Sequence, residues 1–401
     1  MTTATDTDTD LNLSVPLGTD YPEIRESIRR ICADFPGEYW RDLDARSAYP
    51  ETFVKALTEA GYLSVLIPEA YGGAGLPLRA ASVILEEIHA AGCSAGACHA
   101  QMYTMGTLLR HGSEEQKRRF LPEIAAGRLR LQAFGITEPT TGSDTTQLKT
   151  RAELSADGRH YIVNGQKVWT SRALYSDLMM LLVRTTPADQ VARKTEGLSV
   201  LLVDMREARG NGLEIRPIKA MVNHNTTEIF IDNLQVPVEN RIGVEGKGFK
   251  YILDGMNAER IIAASEAIGD TRWFIQKAAN YARERVVFGR PIGQNQGIQF
   301  PIARAYTELV QAEMMVRKAT ALFAAGQPCG EDANIAKLAA SEAAWHAAEA
   351  CLQTHGGFGF ATEYDVERKW REVRVMQVAP VSTNLILAHV AEHVLGLPRS
   401  Y

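Results

Sequence analysis

The hydrophobic period of this chain changes twice, and that alone rules out a single-layer fold. Up to about residue 132, apolar residues recur at three- and four-residue steps, as in YPEIRESIRRICADF and PETFVKALTEAGYL, the spacing of amphipathic helices. From about 133 the segments turn short, β-branched and broken by Gly, Asn, Asp or Pro: HYIVNGQKVWTS, LMMLLVRT, GLSVLLVDM and TEIFIDNLQVP. Those are strand and turn signals at the spacing of a small barrel or sandwich. After GVEGKG, 243–248, the helical period returns and holds to the end. The expected architecture is therefore multi-domain α+β. An all-α N-terminal domain spans 20–132, a small β-barrel or sandwich 133–244, and a C-terminal four-helix bundle 245–401. With 401 residues and about 150 per domain, two or three domains are the natural division.

Local signals refine this. Ser113 with Gln116 forms a capping box, and Gly127 stands where a C-cap glycine belongs. The run from Phe249 to Gly289 reads as one very long helix, with Gly269 as the point where it could break. Two further helices, PIARAYTELVQAEMMVRKATALFAAG and DANIAKLAASEAAWHAAEACLQTHGG, precede a final LILAHVAEHVLG.

Composition narrows the partners. A hydrophobic content of 45%, a charged content of 23% and a net charge of −5 give no electrostatic reason to expect nucleic acid or an anionic membrane. No apolar run approaches the ~18 residues that span a bilayer. The N-terminus, MTTATDTDTDLNLSVPLGTD, has neither a basic region nor an apolar core, so it does not read as a secretory signal. Its Thr-Asp composition predicts a disordered tail over 1–19. The five cysteines are scattered, and Cys93 and Cys98 lack a second pair at zinc spacing, so no metal site is expected. A reduced, cytoplasmic protein follows.

Four segments could carry chemistry. FGITEPTTGSD, 134–144, is rich in glycine and hydroxyls and suits the polar edge of a planar cofactor, or is a decorated turn. KVWTS places Trp169 either in the barrel core or as an aromatic wall against a ring system. ERVVFGRPIGQNQ carries Arg285, which grips a phosphate or serves a helix dipole. QTHGGFGF packs three glycines after a helix and allows close backbone approach or simply stops the helix; His355 reads as structural.

In this order the four segments resemble the acyl-CoA dehydrogenase family, from about residue 20 to the C-terminus. The resemblance implies non-covalent FAD, with Phe134, Ile136, Thr137, Gly142 and Ser143 lining the flavin and Trp169 and Ser171 beside its ring. It implies Arg285, Phe288, Gln296, Gln353 and Gly357 on the pyrophosphate and adenine side, reaching the flavin of a neighbouring subunit in a homotetramer, a dimer of dimers. Ser382 and Asn384 supply further polar contacts to the flavin. The implied activity is α,β-dehydrogenation of an acyl-CoA thioester in fatty acid and lipid metabolism, with electrons passed to an electron-transfer flavoprotein.

Removing the α-proton of a thioester takes a positioned carboxylate and polarisation of the carbonyl. Many members of the family place the glutamate at the position of Pro380 in VMQVAPVSTN, 375–384, and this stretch holds no carboxylate. A subgroup that includes isovaleryl- and long-chain-type enzymes carries it on the first long helix of the C-terminal domain, in a Glu-Arg pair, and GMNAERII supplies Glu259 and Arg260. Phe249, Ile252, Met256, Glu259 and Ala263 fall at steps of three or four, so Glu259 lies on an apolar stripe, where burial would raise its pKa toward that of a useful base. A structural ion pair with Arg283 or Arg285 is the alternative reading of the stripe. Arg260 and Asn257 would face the substrate, with Ser143, Ala379 and Pro380. Pro380 has no N–H to polarise the thioester. Either Val381 supplies the amide, or a flavin hydroxyl acts alone, or the acyl group sits differently. Ala379 and Pro380 stand where a bulkier Tyr-Glu pair is common, which leaves room for branched or bulky acyl groups. Two rival functions remain open on sequence: a flavin monooxygenase on the same scaffold, and a redox-silent acyl-CoA-binding protein or lyase.

Overall fold

A computed structural model describes residue 17 and residues 19–399, and the expected acidic tail falls almost wholly outside them. Helices α1 (Pro22–Ala33), α2 (Gly37–Arg46), α3 (Glu51–Glu59), α4 (Leu78–Ala90), α5 (Gly96–His111) and α6 (Glu114–Ala125) come first. Strands β1 (Leu131–Gly135), β2 (Arg151–Leu154), β3 (His160–Ser171), β4 (Leu178–Arg184) and β5 (Leu198–Asp204) follow, then a short α7 (Met205–Ala208), β6 (Leu213–Pro217), β7 (Thr226–Pro237) and β8 (Arg241–Ile242). The long α8 (Gly248–Glu284) leads through a hairpin, β9 (Val286–Val287) and β10 (Arg290–Pro291), into α9 (Gln296–Ala324), α10 (Gly330–His355), α11 (Val366–Arg374) and α12 (Thr383–His389). No helix among the described residues is long and apolar enough to cross a membrane.

By contact the chain divides into two compact units, and the helices before residue 132 are shared between them. Among the described residues, the first unit joins those up to 45, 76–95 and those from 257; the second joins 46–75 and 96–256.

The second unit is built on one eight-stranded sheet in the order β6-β7-β3-β2-β4-β5-β8, with β1 pairing β4 in parallel. Every residue of β4 is buried. Leu178, Met180 and Leu182 enter one hydrophobic cluster, and Met179, Leu181 and Val183 enter another. Alternate side chains of a strand point to opposite faces, so LMMLLVR reads as a continuous apolar run because both faces of β4 are covered. α6 starts at the Ser113–Gln116 capping box, with both reciprocal hydrogen bonds present, and ends before Gly127 at φ 72°.

In the first unit α9 and α10 lie side by side, and α10 turns Ala333, Ala336, Ala340, Ala343, Ala344, Ala347 and Ala348 inward. Small residues let the helix backbones approach closely. α8 runs unbroken through Gly269. The glycine serves packing instead: a Cβ there would come within 2.2 Å of the Glu86 carbonyl oxygen on α4. Ser82 and Ser265 share a hydrogen bond across the same α4–α8 contact. The charged run ERKWREVR forms α11, whose Arg368 and Lys369 are 2% and 0% exposed.

Candidate functional site

The loop after β1 is anchored at its root and open at its tip. Glu138 is buried and accepts from the backbone N–H groups of Lys149 (2.6 Å) and Thr150 (2.9 Å) and from Lys167 Nζ (2.9 Å). Burial would raise the Glu138 carboxyl, but Lys167 and these donors outweigh it and hold it below the ordinary value. Lys167 also donates to the Ile136 carbonyl at 3.0 Å, and Val168 N–H donates to the Thr137 carbonyl at 2.9 Å. Phe134 meets Tyr103 edge-on at 5.5 Å. Beyond this frame Gly142 and Ser143 are exposed, and a Cβ at Gly142 would meet nothing within 4 Å.

Trp169 is not in the sheet's core. The β3–β7 register shifts between Lys167 and Thr170, and within this bulge Trp169 takes φ 61° and is 60% exposed. Ser171, half-buried, closes β3 opposite Thr226. The buried hydroxyls of Thr141 and Thr170 have no hydrogen-bond partner among the described residues. An exposed indole, an open glycine-hydroxyl loop and two unsatisfied buried hydroxyls fit a planar, polar-edged cofactor such as a flavin.

In the first unit, Glu259 is 9% exposed on α8. Arg260, next to it, donates from Nη1 to Asn334 Oδ1 on α10 at 2.5 Å. One turn along α10, Lys337 is 1% exposed and its Nζ donates to the Val381 carbonyl at 2.6 Å. Burial first, then the Arg260 guanidinium, push the Lys337 ammonium down to about 8, and Glu259 pulls the other way. Burial likewise lowers Arg260, against the pull of Glu259. Glu259, Arg260 and Lys337 thus form one electrostatic cluster. The cations named as alternative partners for Glu259 are engaged elsewhere: Arg283 donates to Asn280 at 2.9 Å, and Arg285 stands 5.7 Å over the Phe358 ring.

Within the segment 375–384, Ala379 is exposed, Pro380 and Val381 are half-buried, and Asn384 is exposed in the first turn of α12. Ser382 Oγ accepts from Leu385 N–H at 3.3 Å and caps that helix. Asn257, half-buried, places Oδ1 3.8 Å from where a Cβ on Gly330 would stand. The remaining residues implied on the pyrophosphate side divide. Arg285, Gln353 and Gly357 line one open cavity of about 690 Å³, together with Asn295, Gly356 and Phe358. Gln296 opens α9 beside it, whereas Phe288, at φ 52°, is fully exposed at the hairpin tip. His355 is structural: it stacks on Tyr281 at 4.2 Å, with Nδ1 2.8 Å from the Cys351 carbonyl.

Sequence reasoning missed Glu138, Lys167, Asn334 and Lys337. Asn334, Lys337 and Ser341 recur at three and four along the alanine face of α10, and that interruption of a small-residue stripe was the available signal.

Comparison with known proteins bears on the whole chain. The acyl-CoA dehydrogenase N-terminal domain matches residues 19–128, the middle domain 133–234 and the C-terminal domain 246–395. The chain is 32% identical over 382 residues to the acyl-CoA dehydrogenase fadE12 of Mycobacterium bovis, covering 94% of this chain and 96% of that one. It is 32% identical over 400 residues to the glutaryl-CoA dehydrogenase of Desulfococcus multivorans, covering 98% and 99%. A glutaryl-coenzyme A dehydrogenase solved with glutaryl-CoA aligns with a TM-score of 0.87 at 29% identity over 98% of both chains.

Proposed function

The chain belongs to the acyl-CoA dehydrogenase family, and from that premise we propose that it oxidises an acyl-CoA thioester between its α and β carbons, with Glu259 as the base. The observation that carries this reading is a buried carboxylate on α8, in a chain whose segment 375–384 has no carboxylate at all.

FAD, held non-covalently, supplies the two-electron acceptor for the β-hydrogen. Phe134, Ile136, Thr137, Gly142, Ser143, Trp169 and Ser171 hold its ring and ribityl side, with Ser382 and Asn384 as further polar contacts. Arg285, Phe288, Gln296, Gln353 and Gly357 serve the pyrophosphate and adenine of a neighbouring subunit's cofactor. The fully exposed Phe288 and its exposed neighbours Val286 and Val287 support such a reach, since an apolar hairpin tip gains by being covered. A homotetramer follows from it.

The chain's own residues do the proton chemistry. Glu259 takes the α-proton, and a positioned carboxylate of this kind supplies on the order of 10²–10⁴ in rate. Arg260 and Asn257 orient the thioester arm, with Arg260 itself held by Asn334. Ala379 and Pro380 present a small, rigid surface to the acyl group, which favours branched or bulky chains. An electron-transfer flavoprotein would be the partner that takes the electrons onward.

Anaerobic mixing of the flavin-loaded protein with a panel of saturated straight and branched acyl-CoAs tests the reading. Bleaching of the oxidised flavin spectrum by at least one member is the expected result; an unchanged spectrum across the panel overturns it.

A further inference from the structure

Abstraction of the α-proton breaks the C–H bond, puts the proton on a Glu259 oxygen and moves the electron pair toward the thioester oxygen. That developing oxyanion needs a hydrogen-bond donor positioned before the reaction begins. Pro380 offers none. The next residue offers one, and its setting is unusual.

The Val381 amide donates to no group of the chain among the described residues, while its carbonyl is gripped at 2.6 Å by Lys337 Nζ. A lysine only 1% exposed gives up its hydration, and such a side chain stays buried only where a partner compensates. The Val381 carbonyl is that partner, 44 residues along the chain. Val381 is therefore fixed on both sides: the pyrrolidine ring of Pro380 locks φ before it, and the ammonium holds the carbonyl after it. The same ammonium feels both Glu259 and Arg260, which brings the segment into the neighbourhood of the base.

We infer that Lys337 is a positioning residue: by holding the Val381 carbonyl it aims the Val381 amide at the thioester oxygen, in place of the amide that proline removes. This rests on the dehydrogenase reading above and chooses, among the three alternatives the sequence left open, the Val381 amide, with Lys337 as the group that positions it.

The test separates the two claims. The full-length, flavin-loaded protein is mixed anaerobically in D₂O with a 3-thia-acyl-CoA, whose β-sulfur blocks hydride loss, and α-hydrogen exchange is followed by mass spectrometry. Wild type exchanges the α-hydrogens and E259Q does not. Lys337→Met slows exchange roughly 10- to 100-fold, the scale of a small misplacement of a reacting group. Its thioester Kd stays within about a factor of three, since the loss falls on the charged species and not on ground-state binding. Val381→Pro, which removes the amide directly from a half-buried loop, slows exchange by about 10²–10³. Bound flavin absorbance reports folding in each variant, and if Lys337→Met does not fold, Val381→Pro decides. Exchange at the wild-type rate in either variant overturns the assignment of Lys337 while leaving Glu259 in place. No exchange in wild type overturns the dehydrogenase reading, and this inference with it.

Discussion

Eleven residues apart on α8, Glu259 and Asp270 are both buried carboxylates with cations close by. Around Asp270 the neighbours point at it: His89 Nδ1 lies at 3.0 Å and Lys369 Nζ at 2.5 Å, and Lys369 reaches Glu372 at 3.3 Å. Burial would raise Asp270, but His89 and Lys369 outweigh it and hold it below the ordinary value. Such a group stays ionised and is useless as a base, because it has no affinity for a proton at working pH. Near Glu259, Arg260 also donates to Asn334 and Lys337 to the Val381 carbonyl. The two sites differ in what else their cations hold: around Asp270 a second carboxylate, Glu372, and around Glu259 an amide oxygen and a backbone carbonyl.

The largest expected effect breaks the comparison on the catalytic side. Glu259→Gln should lower the rate of flavin bleaching by a saturated acyl-CoA by about 10²–10⁴, as stopped-flow absorbance will show, with flavin content and urea midpoint unchanged. Loss of turnover only through loss of bound flavin would remove Glu259 from the chemistry. On the structural side, Asp270→Asn takes the nearer of two carboxylates from buried Lys369 and leaves Glu372 at 3.3 Å. It should cost about 3–5 kcal/mol of stability, read by urea unfolding, while the rate per bound flavin holds.

The pH dependence sharpens the same contrast. Asp270 is depressed in the folded state, so its contribution is complete above its ordinary 3.8 and is lost as pH falls through its folded value. The stability gap between wild type and Asp270→Asn should therefore narrow below pH 3.8, as acid-denaturation curves of both will show. Two smaller effects bracket the frame. Gly269→Ala pushes a methyl group toward the Glu86 carbonyl and should cost about 1–3 kcal/mol, less the helical preference of alanine. Ser113→Ala removes only the α6 cap, for about 1 kcal/mol. A thermal melt ranks the two.

What was legible in the sequence was whatever follows from period. β3, β4, β5 and β7 fall on the four segments that broke the helical spacing, and α8, α9 and α10 on the runs that restored it. The apolar stripe through Ile252, Glu259 and Ala263 is likewise buried in the structure. What was illegible depends on partners far away in the chain. ERKWREVR looks like solvent-facing charge because nothing local says that Lys369 will meet Asp270. Lys337 looks like an ordinary helix lysine because its acceptor is a carbonyl on another segment. Trp169 could be barrel core by alternation, until a bulge between Lys167 and Thr170 shifts the phase and turns it out. Gly269 looked like a place for α8 to break, and its role is instead to let α4 come close.

Trp169 carries one more consequence. Of the five tryptophans, Trp40 is 5% exposed, Trp273, Trp345 and Trp370 are half-buried, and Trp169 alone stands largely in solvent. Its emission should be the reddest and the most accessible to iodide, which would make it a built-in optical gauge. Another protein covering that indole should show as a blue shift with less iodide quenching, and a flavin ring against it as loss of its emission, without any label attached.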